Sequence, residues 1–227
     1  MQRLYFSLLT AIGICFINNA RSQQLALNMH TPATGNKVLS KWTTERKSDK
    51  VELQYRWVLA GDTLKTREVR AIFTVNAPHT IIIDNIRDPG RARQWNEGVK
   101  EFKIYPKSET EWFAYSLYKI PYPFTPQDLV THYSVETGTD QTIIKINAEP
   151  CFVAKKAGVE RQQNYDGRWV LGRTTDGKTR VEFYSVSYSK PVFPRFIQDP
   201  VIQRLLVNSF ENFITTAENE KIRRQAF

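Results

Sequence analysis

Residues 199–217 read DPVIQRLLVNSFENFITTA. Apolar side chains recur at Val201, Ile202, Leu205, Leu206, Phe210, Phe213, Ile214 and Ala217. That spacing makes one continuous stripe on an α-helix. Asp199 reads as the cap and Pro200 as the first helical residue, where its missing N–H costs nothing. The helix has about twenty residues and a length of about 30 Å. It is the only long amphipathic helix in the sequence, so what it packs against decides the fold.

The chain before it reads mainly as strands. Residues 51–59 (VELQYRWVL) and 65–75 (KTREVRAIFTV) flank Ala60-Gly61-Asp62, a hairpin signal. Two short helices follow. One is capped by Asn76 and runs from Pro78 through Ile86, and the other spans 89–95. Strands are then expected at 99–105, 111–120, 128–136, 141–148, 158–165, 169–173 and 178–189. Gly138-Thr139-Asp140, Asp166-Gly167 and Asp176-Gly177 mark the turns. Short turns imply antiparallel pairing. Residues 23–50 are polar, with a short helix expected around 37–44. The expected architecture is α+β: a curved antiparallel sheet wrapped around the long C-terminal helix, with two short helices after the first strands.

Composition bounds the function. The 227 residues carry +9 and 12% aromatic side chains. Met1-Gln2-Arg3, the uncharged run Leu4–Ile17 and the small residues Ala20 and Ser22 read as a secretory signal peptide over residues 1–22. Cleavage after Ser22 would leave 205 residues at +7 and one cysteine, Cys151, so no internal disulfide. The expected location is therefore outside the cytoplasm, periplasmic or secreted. No basic run reaches five residues, which argues against nucleic acid as partner. One domain over 51–220 with a tail at 221–227 accounts for the rest.

Catalytic signatures are scarce. His30, His79 and His132 lack metal-ligand spacing, and there is no CxxC and no GxSxG elbow. Gly167–Thr174 is only a near-miss to a phosphate-binding loop: Arg173 stands where lysine should be, and the glycines sit in hairpin strands. Asp128 and His132 share one strand face, which reads as polar and outward. No cofactor or metal is expected.

The alternating strand sets say more. Leu129, Thr131, Tyr133 and Val135 share a face. So do Phe113, Tyr115 and Leu117, then Ile144 and Ile146, then Val181, Phe183 and Ser185. These sets read as inward and mix aromatic rings with hydroxyls. Such a mixture fits a ligand cavity; the alternative is a filled core whose hydroxyls bond to nearby backbone. In residues 120–126, Tyr122 and Phe124 stand among Pro121, Pro123 and Pro126. They read as exposed rings beside a strand, or alternatively as caps on the core.

Four stretches in order carry a family resemblance: Trp95–Glu101 (WNEGVKE), Pro126–Val130 (PQDLV), Gly158–Arg161 (GVER) and Lys178–Phe183 (KTRVEF) leading into the final helix. Over about Val51–Ala217 the chain resembles the START (steroidogenic acute regulatory protein-related lipid transfer) domain of the helix-grip superfamily. The resemblance implies a hydrophobic tunnel between sheet and final helix, walled by Leu206, Phe210, Phe213 and Ile214 and by the inward strand sets. It also implies a gate formed by the helix and nearby loops, here Tyr122 and Phe124. The implied function is to bind a lipid or other hydrophobic molecule, without catalysis, as a monomer making transient contact with a membrane surface. Gln127 stands where the family often has arginine, and Tyr133 where sterol-binding members place one. A phenol cannot balance a carboxylate, so a charged-headgroup contact does not follow there. A cavity enzyme of the cyclase or hydrolase type is the alternative, with Tyr115, Tyr133 or His132 as acid/base groups.

Overall fold

The computed structural model describes residues 36–119, 125–188 and 195–226. The expected signal peptide, Tyr122 and Phe124 lie outside the described residues. The strands are β1 (Lys37–Val38), β2 (Thr43–Lys47), β3 (Val51–Ala60), β4 (Leu64–Val75), β5 (Val99–Pro106), β6 (Glu111–Tyr118), β7 (Gln127–Thr137), β8 (Gln141–Ala148), β9 (Glu160–Arg161), β10 (Tyr165–Arg173) and β11 (Thr179–Ser187). The helices are α1 (His79–Arg87), α2 (Pro89–Trp95) and α3 (Arg195–Gln225). The strands join one open, curved antiparallel sheet in the order β1-β3-β4-β11-β10-β8-β7-β6-β5; β2 pairs with β3, and β9 with β7. α3 runs closest to β2, β3, β4 and the two short helices.

The turns follow backbone chemistry. Gly61 and Gly177 take positive φ, 56° and 78°, at the β3–β4 and β10–β11 turns, where a Cβ would be strained. α2 starts as the sequence suggests, with the Asp88 carboxylate accepting from the Arg91 N–H at 2.8 Å and Pro89 at the first position.

Five expectations are corrected. Residues 37–44 form strand pieces rather than a helix. They pair with the edge of β3, and Trp42 is held between the guanidinium groups of Arg56 and Arg70 at 4.4 and 4.5 Å. Asn76 does not cap α1, because Pro78 occupies that position. The Asn76 N–H instead donates to Glu218 at 2.9 Å, and its side-chain oxygen accepts from Lys221 at 2.7 Å, tying α3 to the end of β4. Asp166-Gly167 is not a turn. β10 runs through it, and a side chain on Gly167 would meet the Tyr184 carbonyl oxygen at 3.0 Å and the Tyr165 hydroxyl at 3.2 Å. The strand expected at 158–165 shrinks to Glu160–Arg161 and is parallel to β7, not antiparallel.

The fifth correction concerns α3, which has 31 residues and contains Pro200. Asp199 is inside the helix and takes Arg67 as an ion-pair partner at 2.6 Å. Proline lacks the N–H that would bond the carbonyl four residues back, so the first turn is joined to the rest by a weakened ladder. At the other end the helix continues through residues 221–225, which are not a tail. Glu220 clamps this end: Arg223 and Arg224 donate to it at 2.8 and 2.7 Å, and Arg91 lies 3.1 Å away. Those bonds hold its carboxyl down at about 2. A depressed pKa stabilises the fold above the unfolded value, and that stabilisation is lost as pH falls toward the folded one. Glu220→Gln should therefore lower the melting temperature by about 2–4 °C near neutrality, and the difference from wild type should shrink as the pH is lowered from 5 to 2. Calorimetry across that range checks both.

Candidate ligand site

Strand register fixes which side chains face α3. Trp112 is opposite Tyr133, Tyr133 opposite Ile146, and Ile146 opposite Gly167, which faces Ser185 and then Val69. Alternation extends the inner face to Ala114, Ser116 and Tyr118 on β6 and to Leu129, Thr131 and Val135 on β7. It continues with Ile144 on β8, Tyr165 and Trp169 on β10, and Val181 and Phe183 on β11.

One half of this face is closed by packing. Trp169 sits among Phe183, Phe210, Phe213, Phe73 and Trp95, with ring centroids 4.9–6.5 Å apart. Phe213 also meets Trp95 edge-on at 5.1 Å. The Trp95 indole N–H donates to the Asn85 carbonyl at 3.0 Å, and the Asn85 side chain to the Phe213 carbonyl at 3.3 Å. α1, α2 and the C-terminal half of α3 are thus sealed onto the sheet. Of the expected ligand residues, Ile144, Val181, Phe210, Phe213 and Ile214 lie in this packed part and are buried against protein.

The other half is less buried. Tyr118, Tyr133, Val135, Tyr165, Ser185, Val69 and Leu206 face inward yet stay only half-buried. On α3 the apolar stripe is fully buried from Val207 to Ala217, whereas Leu205 and Leu206 are half-buried and Val201 and Ile202 exposed. Burial pushes the phenols of Tyr118, Tyr133 and Tyr165 upward, and each has a hydroxyl beside it: Ser116, Thr131 and Ser185 respectively. The three residues pack against the core, Tyr133 stacking on Trp112 with ring centroids 5.0 Å apart, and each remains half-buried. Leu129, Thr131 and Ile146 are also inward and are buried, and Phe183 belongs with Trp169 and Phe210 in the packed half. A cleft of about 540 Å³ opens beside the β3–β4 turn; its lining is mostly polar and comes from both faces of the sheet, with Asn36, Asn147, Gln163, Asn164, Asp166 and Tyr188 around Ala148 and Tyr165.

The lip is charged. Arg67 binds Asp199 and lies over the Tyr55 ring at 4.2 Å, while Lys65, Arg67 and Arg195 surround the Trp57 ring at 4.8, 5.0 and 5.3 Å. These contacts fasten the first turns of α3 to the β3–β4 hairpin.

Phe113, Tyr115 and Leu117 are a correction: they face away from α3. Tyr115 is opposite Val130, Leu117 opposite Asp128 and Phe113 opposite His132. Tyr115, Leu117 and Val130 form a second small core beneath residues 149–161, with Tyr105, Val153 and Val159, and Phe113 stacks on Phe152 with ring centroids 3.8 Å apart. That flap is fixed by Arg161, which donates to Asp128 at 2.5 and 2.9 Å and to the carbonyls of Pro150 and Val153 at 2.7 and 2.8 Å. The Asp128 and Arg161 side chains are each only 1% exposed. Asp128 does lie on the outer face, but buried rather than solvated. His132 pairs with Glu111 at 3.1 Å on that outer face. The sheet therefore separates Tyr115 and His132 from Tyr133. Among the described residues, no three His, Cys, Asp or Glu side chains come together as a metal site.

Sequence reasoning missed Tyr118 and Tyr165. Tyr118 belongs to the face of β6 that was assigned outward, and Tyr165 to a strand whose start was hidden by Asp166-Gly167.

A sheet that wraps one long helix, with two short helices at one end, matches solved structures of known name. A STAR-related lipid transfer protein from Xanthomonas axonopodis superposes with TM-score 0.68 at 18% identity, covering 78% of this chain and 99% of that one. The fold is that of START-related lipid transfer domains. Human StAR-related lipid transfer protein 5 matches at TM-score 0.65 and 14% identity, over 91% of this chain and 97% of its own. Human STARD10 matches at TM-score 0.65 and 12% identity, over 82% of this chain and 76% of its own. In sequence, an uncharacterized protein of Pseudomonas aeruginosa is 22% identical over 185 residues, 81% of this chain and 90% of that one. No family model matches the chain.

Proposed function

We propose that this chain is an exported, non-enzymatic START-like protein that carries or senses one lipid or other hydrophobic small molecule in a cavity beneath the N-terminal half of α3. The observation that carries this reading is the unequal filling of the inner face: a packed aromatic half, and a half where Tyr133, Val135, Tyr165 and Leu206 keep accessible surface. Apolar walls with a few placed hydroxyls suit a ligand site. The lipid-transfer names of the proteins with this fold support the same reading, and the leader-like residues 1–22 support export. Opening requires the first turns of α3 to leave the lip, and Pro200 weakens the ladder there. The protein acts as a monomer with transient membrane contact.

Ser185→Phe tests the cavity. Ser185 is half-buried on the inner face beside Tyr165. A phenyl ring there should fill open space, leave stability within about 0.5 kcal/mol and abolish uptake of lipid from vesicles. In a filled core the same ring would cost about 1–3 kcal/mol. Denaturant titration alongside a vesicle-uptake assay separates the two.

A further inference from the structure

Among the described residues, the less buried half of the inner face is hydroxyl-rich and carries no charged side chain inside the lip formed by Lys65 and Arg67. Tyr118, Tyr133 and Tyr165 come from three strands, β6, β7 and β10, and the strand register puts all three on the inner face. The nearest cations on the same face, Lys65 and Arg67, stand at the lip, where Arg67 is already bound to Asp199 at 2.6 Å. Asp166, next to Tyr165, points to the opposite face and accepts from Asn147 at 2.7 Å. Its charge would repel an anion held at Tyr165. Moving an ionised headgroup into such a place, away from water and without a counter-charge, is costly. A neutral oxygen can instead accept from one phenol and, as an alcohol, donate to the next.

We infer that the ligand is a neutral lipid presenting a hydroxyl or carbonyl oxygen to Tyr165 and Tyr133, not a fatty acid or a phospholipid. This rests on the carrier reading above and adds the ligand's chemical class and two specificity-determining residues. The phenols read the oxygen, and the apolar wall from Val69 to Leu206 takes the chain or ring body. Each of these two phenols also has a neutral hydroxyl beside it, Ser185 for Tyr165 and Thr131 for Tyr133.

The test is competition by four probes of equal chain length (dodecanol, dodecane, dodecanoate and dodecylphosphocholine) against protein-bound pyrene at neutral pH, using the full chain. Dodecanol should bind about tenfold more tightly than dodecane, the effect of one to two hydrogen bonds in a desolvated place. Dodecanoate and dodecylphosphocholine should be weaker than dodecanol. Tyr165→Phe should bring dodecanol down to the level of dodecane while dodecane itself is unchanged. If that variant loses dodecane as well, its site is damaged, and Tyr133→Phe is read in the same way. Equal binding of alcohol and alkane, or tighter binding of either charged probe, overturns the inference and leaves the carrier reading standing. Displacement by none of the four, with no pyrene bound, overturns both.

Discussion

Phe213→Ala should destabilise the protein by about 3–5 kcal/mol. Phe213 is fully buried and contacts Trp95, Trp169 and Phe73 at 5.1, 5.0 and 6.1 Å between ring centroids. Its removal costs the transfer free energy of the ring and leaves a void that three large neighbours cannot collapse into. The packed half is what holds α3 on the sheet, so the loss should appear as a lower denaturation midpoint with an unchanged slope. Phe196 on the same helix is 79% exposed, and Phe196→Ala should stay within about 0.5 kcal/mol. If the two substitutions cost the same, the helix is not anchored by its C-terminal half.

Arg161→Met should cost a comparable 3–5 kcal/mol, for a different reason. It removes five donated bonds that fix residues 149–161 and leaves the Asp128 carboxylate buried without its partner. The double variant Asp128→Leu/Arg161→Met removes both charges, so it should be more stable than the Arg161→Met single, because most of the penalty lies in the orphaned charge. Thermal melts of the two variants decide it. A double variant no better than the single would mean that the carbonyl bonds of the flap, not the ion pair, carry the stability. The ligand site should be unaffected in both, since Phe113, Tyr115 and Leu117 above this pair face away from α3.

The fold was legible because its long helix and its strand succession are local signals. The stripe from Val201 to Ala217 and the hairpin turns at Gly61, Gly138 and Gly177 place the sheet and helix without any tertiary information. The faces of β6 were not legible. Alternation reveals orientation only when one face is solvated, and here residues 149–161 cover the outer side. Both Trp112-Ala114-Ser116-Tyr118 and Phe113-Tyr115-Leu117 are consequently apolar or small, and a shift of one residue exchanges them. The extent of α3 was hidden for a related reason. Asp199-Pro200 is a good helix start in isolation, yet Asp199 does more by holding Arg67 across the sheet edge. Tyr165 was obscured by Gly167, whose missing side chain makes room for the tyrosine ring instead of a turn. The half-open site itself could not be read from pattern, because a hydroxyl-bearing inner face looks the same whether it is filled or empty.

Native mass spectrometry of the full chain after incubation with lipid vesicles tests the central claim most directly. One hydrophobic molecule per protein, retained by the wild type and absent from folded Ser185→Phe, is the expected result. Bare protein in both spectra, or an adduct that Ser185→Phe retains undiminished, would contradict a ligand held beneath the N-terminal half of α3.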